Sequence, residues 1–229
     1  MKVSYERYQP KLFIGSSHDW TIRQFDQIVK DSKILDVGAG SGFASRTLKP
    51  LGFKNFDAVE IDPATRVELA KLYDRVEDSL EKYEFNQFDV ALCLDVLEHT
   101  VNPEEFLKEV LARVKPGGVV FISVPNITHW SVRIQLLFGR FEYSDRGILD
   151  RTHLQFITRK RLRKMFVTYN LKTLNEDSTI EPIELLLPSY AYQNSIYRII
   201  SRVRLSLTRF WPSLMAFQHL AIAQKPKRE

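Results

Sequence analysis

The most constraining feature of the chain is a short apolar run, Lys33–Val37, that passes straight into a glycine-rich turn. The turn reads Asp36-Val37-Gly38-Ala39-Gly40-Ser41-Gly42, and a helical pattern follows from Phe43 to Lys49. Glycines at alternate positions let the backbone turn tightly and let a ligand come close. The helix that opens there aims unpaired N–H groups and the positive end of its dipole at the same spot. Such a strand, turn and helix belong to a parallel sheet with crossover helices. The rest of the chain agrees. Asp57–Ile61, Asp74–Glu77, Phe88–Leu94, Val119–Val124, Lys172–Glu176 and Phe217–Gln224 read as strands. Ala64–Tyr73, Pro103–Val114 and Thr158–Tyr169 read as helices. Asp62 is placed to cap the first of these, with Pro63 at its first position. Lys115-Pro116-Gly117-Gly118 is expected to stop the second. An earlier helix is predicted from His18 to Lys30, with Ile22, Phe25, Ile28 and Val29 on one face. The expected class is α/β, with a sheet covered on both faces and ligands at the carboxyl ends of its strands.

The spacing of the turn narrows the ligand. A dinucleotide fingerprint is G-x-G-x-x-G, and here Phe43 stands where the third glycine should fall. Asp36 lies two residues before the first glycine, where a carboxylate would repel a pyrophosphate. It suits a ligand with an ammonium group, such as S-adenosylmethionine, which has an amino group, a ribose and a sulfonium but no phosphate. Glu60 falls 22 residues after Gly38, at the end of the second strand. A carboxylate there can accept hydrogen bonds from ribose hydroxyls. Glu77-Asp78-Ser79 follows the third strand and offers a carboxylate to an adenine amino group, although Asp78 read alone is an ordinary turn residue.

With these residues placed, the chain resembles the class I S-adenosylmethionine-dependent methyltransferases. The segments that carry the resemblance are ILDVGAGSG (34–42), VEID (59–62), EDS (77–79), FDVALCLDVLEH (88–99) and LARVKPGGVVFISVPN (111–126). They span a little over half the chain. LDVLEH and SVPN resemble the ubiquinone-pathway O-methyltransferase subgroup. GRFEYSDRGILDRTHLQFITRKRLRKMF is similar to bacterial methyltransferases associated with surface polysaccharides. The resemblance implies a Rossmann-like sheet of seven strands, mostly parallel, with the last antiparallel. It implies S-adenosylmethionine as cofactor. Asp36, Gly38, Ala39, Gly40 and Gly42 would hold its methionine part and Glu60 its ribose. Ile61 would pack on the adenine, Asp78 and Ser79 would meet its amino edge, and Leu94 and Asp95 would flank the methionine and the acceptor side. It also implies an N-terminal helical lid, residues 1–30, before a methyltransferase domain, residues 31–229.

Residues 126–158 interrupt the alternation with a long aromatic and charged stretch, placed where an active-site insertion belongs. Methyl transfer is an in-line displacement, so the protein must align the reactants and, for a hydroxyl acceptor, take a proton. His153, His129, His99 and His18 are candidate bases. Asp150 can orient His153 or act itself. His219 lies within the last strand and reads as structural. Arg140, Arg146 and Arg151 can clamp an anionic acceptor or simply form surface ion pairs. Asp95, Glu98 and His99 have the character of hard metal ligands. No metal is expected, because the same residues also read as a helix brace and a pocket wall.

The single cysteine, Cys93, excludes an internal disulfide and a cysteine-based zinc site. The apolar fraction, 44%, excludes a disordered chain. No apolar run approaches the ~20 residues needed to span a bilayer, and Met1–Pro10 has no secretory character. A cytoplasmic location is expected, with the inner membrane face as a further expectation. Residues 1–157 carry 20 Lys and Arg against 23 Asp and Glu, while residues 158–229 carry 13 against 5. The basic part includes an aromatic amphipathic stretch at about 188–212, of which residues 196–211 suit an anionic membrane. Equally, such a face can pack on the sheet or form a homodimer.

The expected function is O-methylation of a small-molecule or glycan acceptor, including lipid-linked acceptors such as a quinone precursor or polyprenyl-linked glycan. The competing reading is a non-catalytic subunit that binds S-adenosylmethionine. A nicotinamide dehydrogenase is disfavoured by Phe43 and Asp36. Nucleic acid is not an expected partner, because SVPN is a poor substitute for the tetrapeptide of amino-directed DNA enzymes.

Overall fold

The computed structural model describes residues 13–183 and 195–227. Its centre is a seven-stranded sheet in the order β3-β2-β1-β4-β5-β7-β6. The strands are β1 (Lys33–Val37), β2 (Asn55–Val59), β3 (Arg75–Glu77), β4 (Phe88–Leu94), β5 (Val114–Pro125), β6 (Lys172–Ser178) and β7 (Gln218–Gln224). All neighbours pair in parallel except β7, which is antiparallel to both β5 and β6. The mostly parallel sheet with an antiparallel last strand is therefore as expected. Strand order reverses between β1 and β4, and ligands sit in the crevice at such a switch point.

Alternate residues of each strand feed two separate cores, as the period of two requires. Leu35, Ala91, Cys93, Val120, Ile122 and Ala221 face α4 (Pro103–Arg113) and α6 (Arg159–Thr168). Ile34, Ala58, Leu92, Phe121 and Ile222 face α1 (Ser17–Gln24), α2 (Phe43–Leu48) and α3 (Pro63–Leu69). Trp20 and Phe25 insert into this second core, where their rings meet Phe121 at 5.8 and 5.1 Å. Burying side chains of this size contributes about 1.5–3 kcal/mol each.

Three local expectations need correction. The first helix ends at Gln24 and continues only as a 3-10 turn, Phe25–Gln27, because Phe25 is drawn into the core while Val29 is exposed. The second strand ends at Val59, so Glu60 and Ile61 lie on the loop beyond it. Lys115-Pro116-Gly117-Gly118 does not form a stop between helix and strand. Strand β5 begins at Val114, and the two glycines form an irregularity within it, marked by a register shift opposite Phe88 and Val90. Asp62 does cap α3, accepting from Thr65 N at 2.8 Å, with Pro63 at its first position. Asn102 caps α4 in the same way.

A side chain cannot be added at the irregularity. A Cβ on Gly118 would stand 2.8 Å from the carbonyl oxygen of Asp89 and 2.7 Å from Val114 Cγ1. Gly118→Ala is expected to destabilise the protein by about 1–3 kcal/mol, read as a lower denaturant midpoint with an unchanged slope. An unchanged midpoint would show that the β4–β5 edge adjusts freely.

Candidate active site

The glycine turn leaves β1 with Gly38, Gly40 and Gly42 all at positive φ. A Cβ at Gly38 would lie 2.8 Å from Val96, and one at Gly42 2.8 Å from Leu72. Gly40 instead faces open space, with nothing nearer than the Gly38 carbonyl oxygen at 3.8 Å. The turn is thus pressed against the protein on two sides and open at Gly40. Its shape is fixed from β2. Gly38 N and Ala39 N donate to the Val59 carbonyl, and Gly40 N donates to Glu60 Oε2 at 2.9 Å. The other Glu60 oxygen accepts from Asp62 N at 3.0 Å. A carboxylate oxygen can accept more than one hydrogen bond, so both retain capacity for ribose hydroxyls.

Asp36 is buried beneath this turn and accepts from the hydroxyl of Tyr73. Burial, with the Glu60 carboxylate nearby, pushes its pKa up to about 7. Two carboxyl groups held together in a low-dielectric site favour a cationic ligand. The donor set therefore fits S-adenosylmethionine: carboxylates toward the ammonium and ribose, and an open backbone at Gly40. Ile61 stands 81% exposed beside it, an apolar surface of the kind an adenine ring covers. Asp78 is half-exposed and forms an ion pair with Lys82 at 2.9 Å, which holds its carboxyl below the usual range and leaves it ionised as an acceptor. Ser79 follows in extended conformation at the start of a 3-10 turn. His18, on α1, stacks on Phe43 with ring centroids 3.8 Å apart, so α1 abuts the start of the loop helix.

At the end of β4 Leu94 is half-buried, and just beyond it Asp95 takes φ +57°. A non-glycine residue in that region carries strain, and such strain persists where the surroundings impose it. Here Ser123 Oγ and Gln218 Nε2 both donate to the Asp95 carboxylate at 2.6 Å. Asp95 is therefore bound to β5 and β7, and His153 takes the place that the sequence suggested for it beside Glu98 and His99. One ligand-capable atom from each of Glu98, His99 and His153 lies within 4.8 Å of the others.

The insertion after β5 delivers His153. It begins with Asn126 and α5 (Trp130–Leu137) and closes on a small core of Val132, Ile148 and Leu149. Leu154 N and Gln155 N both donate to the Glu98 carbonyl, at 2.8 and 3.0 Å. His99 Nδ1 meets the Thr152 carbonyl at 3.1 Å, and His153 Nδ1 meets the Ile148 carbonyl at 3.0 Å. A carbonyl only accepts, so each Nδ1 carries a proton, which leaves Nε2 as the nitrogen that can act as a base. The two rings pack edge to face at 4.8 Å. Burial lowers the pKa of His153.

The other candidates have different surroundings. Asp150 Oδ1 accepts from Thr152 N and Oγ1, forming the turn that carries His153. His129 is buried, its pKa pushed down to about 4 by burial, and its Nδ1 caps α5 through Ser131. His219 is buried in β7, where among the described residues its ring nitrogens have no hydrogen-bond partner, and its pKa is also pushed down to about 4. Arg151 forms an exposed ion pair with Asp145. Tyr73, Ser123 and Gln218 were not foreseen. Gln218 lies 123 residues from Asp95, and only the pairing of β7 with β5 brings it there.

The raised pKa of Asp36 makes a prediction. Unfolded, the group titrates near 3.8. Folding thus gains from its protonation, fully below pH 3.8, and loses that gain as pH rises through 7. Asp36→Asn should stabilise the ligand-free protein by about 2–4 kcal/mol at pH 8, with little difference at pH 3 to 4. The same variant should bind S-adenosylmethionine at least about tenfold more weakly, as should Glu60→Ala (~1.4 kcal/mol). Thermal melts at both pH values and calorimetric titration read the two effects. Undiminished binding by both variants would remove the carboxylates from the cofactor site.

Comparison with known proteins agrees with this geometry. A family model described as a methyltransferase domain matches residues 5–176. A ubiquinone biosynthesis O-methyltransferase of Rickettsia bellii is 34% identical over 107 residues, 44% of this chain and 45% of that protein. A mitochondrial protein of the same description from Dictyostelium discoideum is 30% identical over 158 residues, 60% of this chain and 49% of the relative. The chain thus aligns with about half the length of the curated relatives it matches. A SAM-dependent methyltransferase structure from Archaeoglobus fulgidus superposes with a TM-score of 0.60 at 18% identity, covering 91% of this chain and 94% of that one, which shows the shared fold. The glycine turn, its two acids and the matched domain model together place this chain among the class I S-adenosylmethionine-dependent methyltransferases.

Proposed function

We propose that the protein methylates a hydroxyl oxygen on a small-molecule or glycan acceptor. The observation that carries this reading is the pair of imidazoles, His99 and His153, each with its Nδ1 proton directed to a carbonyl and its Nε2 left as a base. A hydroxyl must lose a proton as it attacks, so a positioned base assists it. The description of the relatives as O-methyltransferases supports the same reading.

Bound S-adenosylmethionine supplies an electrophilic methyl group. Asp36 and Glu60 would hold its methionine and ribose ends, while the insertion would form the wall on the acceptor side. His153 Nε2 takes the hydroxyl proton, and the Ile148 carbonyl holds the imidazolium that results through Nδ1–H. His99 packs against that ring and positions it. The competing reading, a subunit that binds the cofactor without turnover, shares the cradle and differs in having no use for the imidazoles.

With phenolic and glycan hydroxyl acceptors, His153→Ala should lower kcat by about 100-fold with unchanged cofactor affinity. His99→Ala should have a smaller effect. Because burial lowers the His153 pKa, wild-type kcat should rise with pH on a limb below 6.5 and then level off, and His153→Ala should lack that limb. Activity that persists in EDTA assigns the step to proton transfer. Loss in EDTA, restored by Mg²⁺, assigns it to a cation held by Glu98, His99 and His153. Cofactor binding without methylation of any hydroxyl acceptor would support the non-catalytic reading.

A further inference from the structure

The basic helix α7 (Ser195–Phe210) is turned the opposite way from a helix that belongs to a core. At 100° per residue, Ile196, Ile199, Ile200, Val203, Leu207 and Phe210 share one stripe. All six are exposed, Ile196 by 72% and Phe210 by 87%. The side that packs on the protein holds Ser201, Leu205 and Thr208. Polar contacts anchor it there: Arg204 donates to the Glu181 carbonyl, and Arg209 grips Asp177 with two nitrogens. This corrects the expectation that the apolar stripe packs on the sheet.

We propose that α7 rests in the surface of an anionic bilayer, with this stripe among the lipid chains. Charge decides between a bilayer and a second copy of the chain. The helix carries Arg198, Arg202, Arg204 and Arg209 and no acidic residue. Arg202 is exposed on one flank of the stripe, and Arg198 is exposed further round, toward the side that packs on the protein. Pairing two copies through the stripe would bring together two wholly basic helices, with no acid on either to offset their charge. Lipid phosphates complement them. Trp211, 58% exposed at the helix end, has the amphipathic ring favoured at a membrane interface. No helix among the described residues is long and apolar enough to cross a membrane, so the contact is one of lying on the surface.

The helix lies at the edge of the sheet that carries the site. The short helical turn Pro212–Met215 that follows it accepts hydrogen bonds from Asn126, Thr128 and Arg133 at the start of the insertion. A membrane bound through α7 therefore borders the acceptor side, which suits a lipid-borne acceptor. That last step rests on the proposed transferase reading, whereas membrane binding itself does not.

The test is co-sedimentation of the full chain at low salt with vesicles of phosphatidylcholine alone or with 30% phosphatidylglycerol (a mole fraction of about this size supplies the anionic surface). The wild type should partition at least about tenfold more strongly onto the anionic vesicles. Ile199→Ser/Val203→Ser/Phe210→Ser should abolish that excess, and Arg198→Glu/Arg202→Glu should reduce it about tenfold. Melting temperature and S-adenosylmethionine affinity check that both variants remain folded, and their failure would bear on the cofactor reading and not on this one. Absence of wild-type binding to anionic vesicles would falsify the proposal. So would a wild-type dimer that the triple serine variant converts to monomer, since the stripe would then join two copies.

Discussion

One carboxylate holds the functional edge of this molecule together. Glu60 accepts from Gly40 N in the turn after β1 and from Asp62 N in the turn after β2. The glycine turn alone has many shapes open to it, because three glycines at positive φ can be rearranged at little steric cost. Its shape follows from three bonds to β2 and its continuation, two at the Val59 carbonyl and one at Glu60. A residue that reads from sequence as a ribose acceptor is thus also the brace of the turn that would face the methionine. Preorganisation of this kind lowers the entropy that ligand binding must overcome.

Asp36 completes the arrangement at a cost in stability. A buried carboxyl with another acid beside it is poorly solvated, and the Tyr73 hydroxyl compensates only in part. A hydrophobic residue there would suit the core better. The retained acid makes chemical sense once a cationic ligand enters, since the ligand provides the missing countercharge. Stability and function therefore pull in opposite directions at one residue.

Much of this was legible because short-range patterns specified it. The strand periodicity, the Asp62-Pro63 cap and the turn from Asp36 to Gly42 each depend on neighbours within a few positions. Glu60 and Asp78 followed from their places after the second and third strands, and the family resemblance extended that reading to Ile61. What escaped depended on distant contacts. Lys115-Pro116-Gly117-Gly118 contains three residues that favour a loop, yet Val114 and Val119 on either side pair with β4, and Gly117 and Gly118 bond to Lys225 just past β7, so the strand runs through them. Asp95 has the sequence spacing of a metal ligand beside Glu98 and His99, but Ser123 and Gln218 hold it elsewhere. His153 was foreseen as a candidate base, while its meeting with His99 required the insertion to fold back on Glu98. The outward stripe of α7 escaped for a different reason. Periodicity tells that a helix has an apolar face and is silent about which way that face turns.

The attachment of the insertion at the Glu98 carbonyl has an evolutionary consequence. The cradle for the donor molecule is built into the sheet, whereas His153 and the wall around it belong to one looped body joined to the sheet through backbone hydrogen bonds. Backbone bonds are indifferent to side-chain identity. Exposed positions such as Arg140, Phe141, Tyr143 and Arg146 can thus diverge in sequence while the loop keeps its anchorage and the imidazole its address. A gene lineage could explore new acceptors by rewriting one segment, leaving donor recognition inherited and intact.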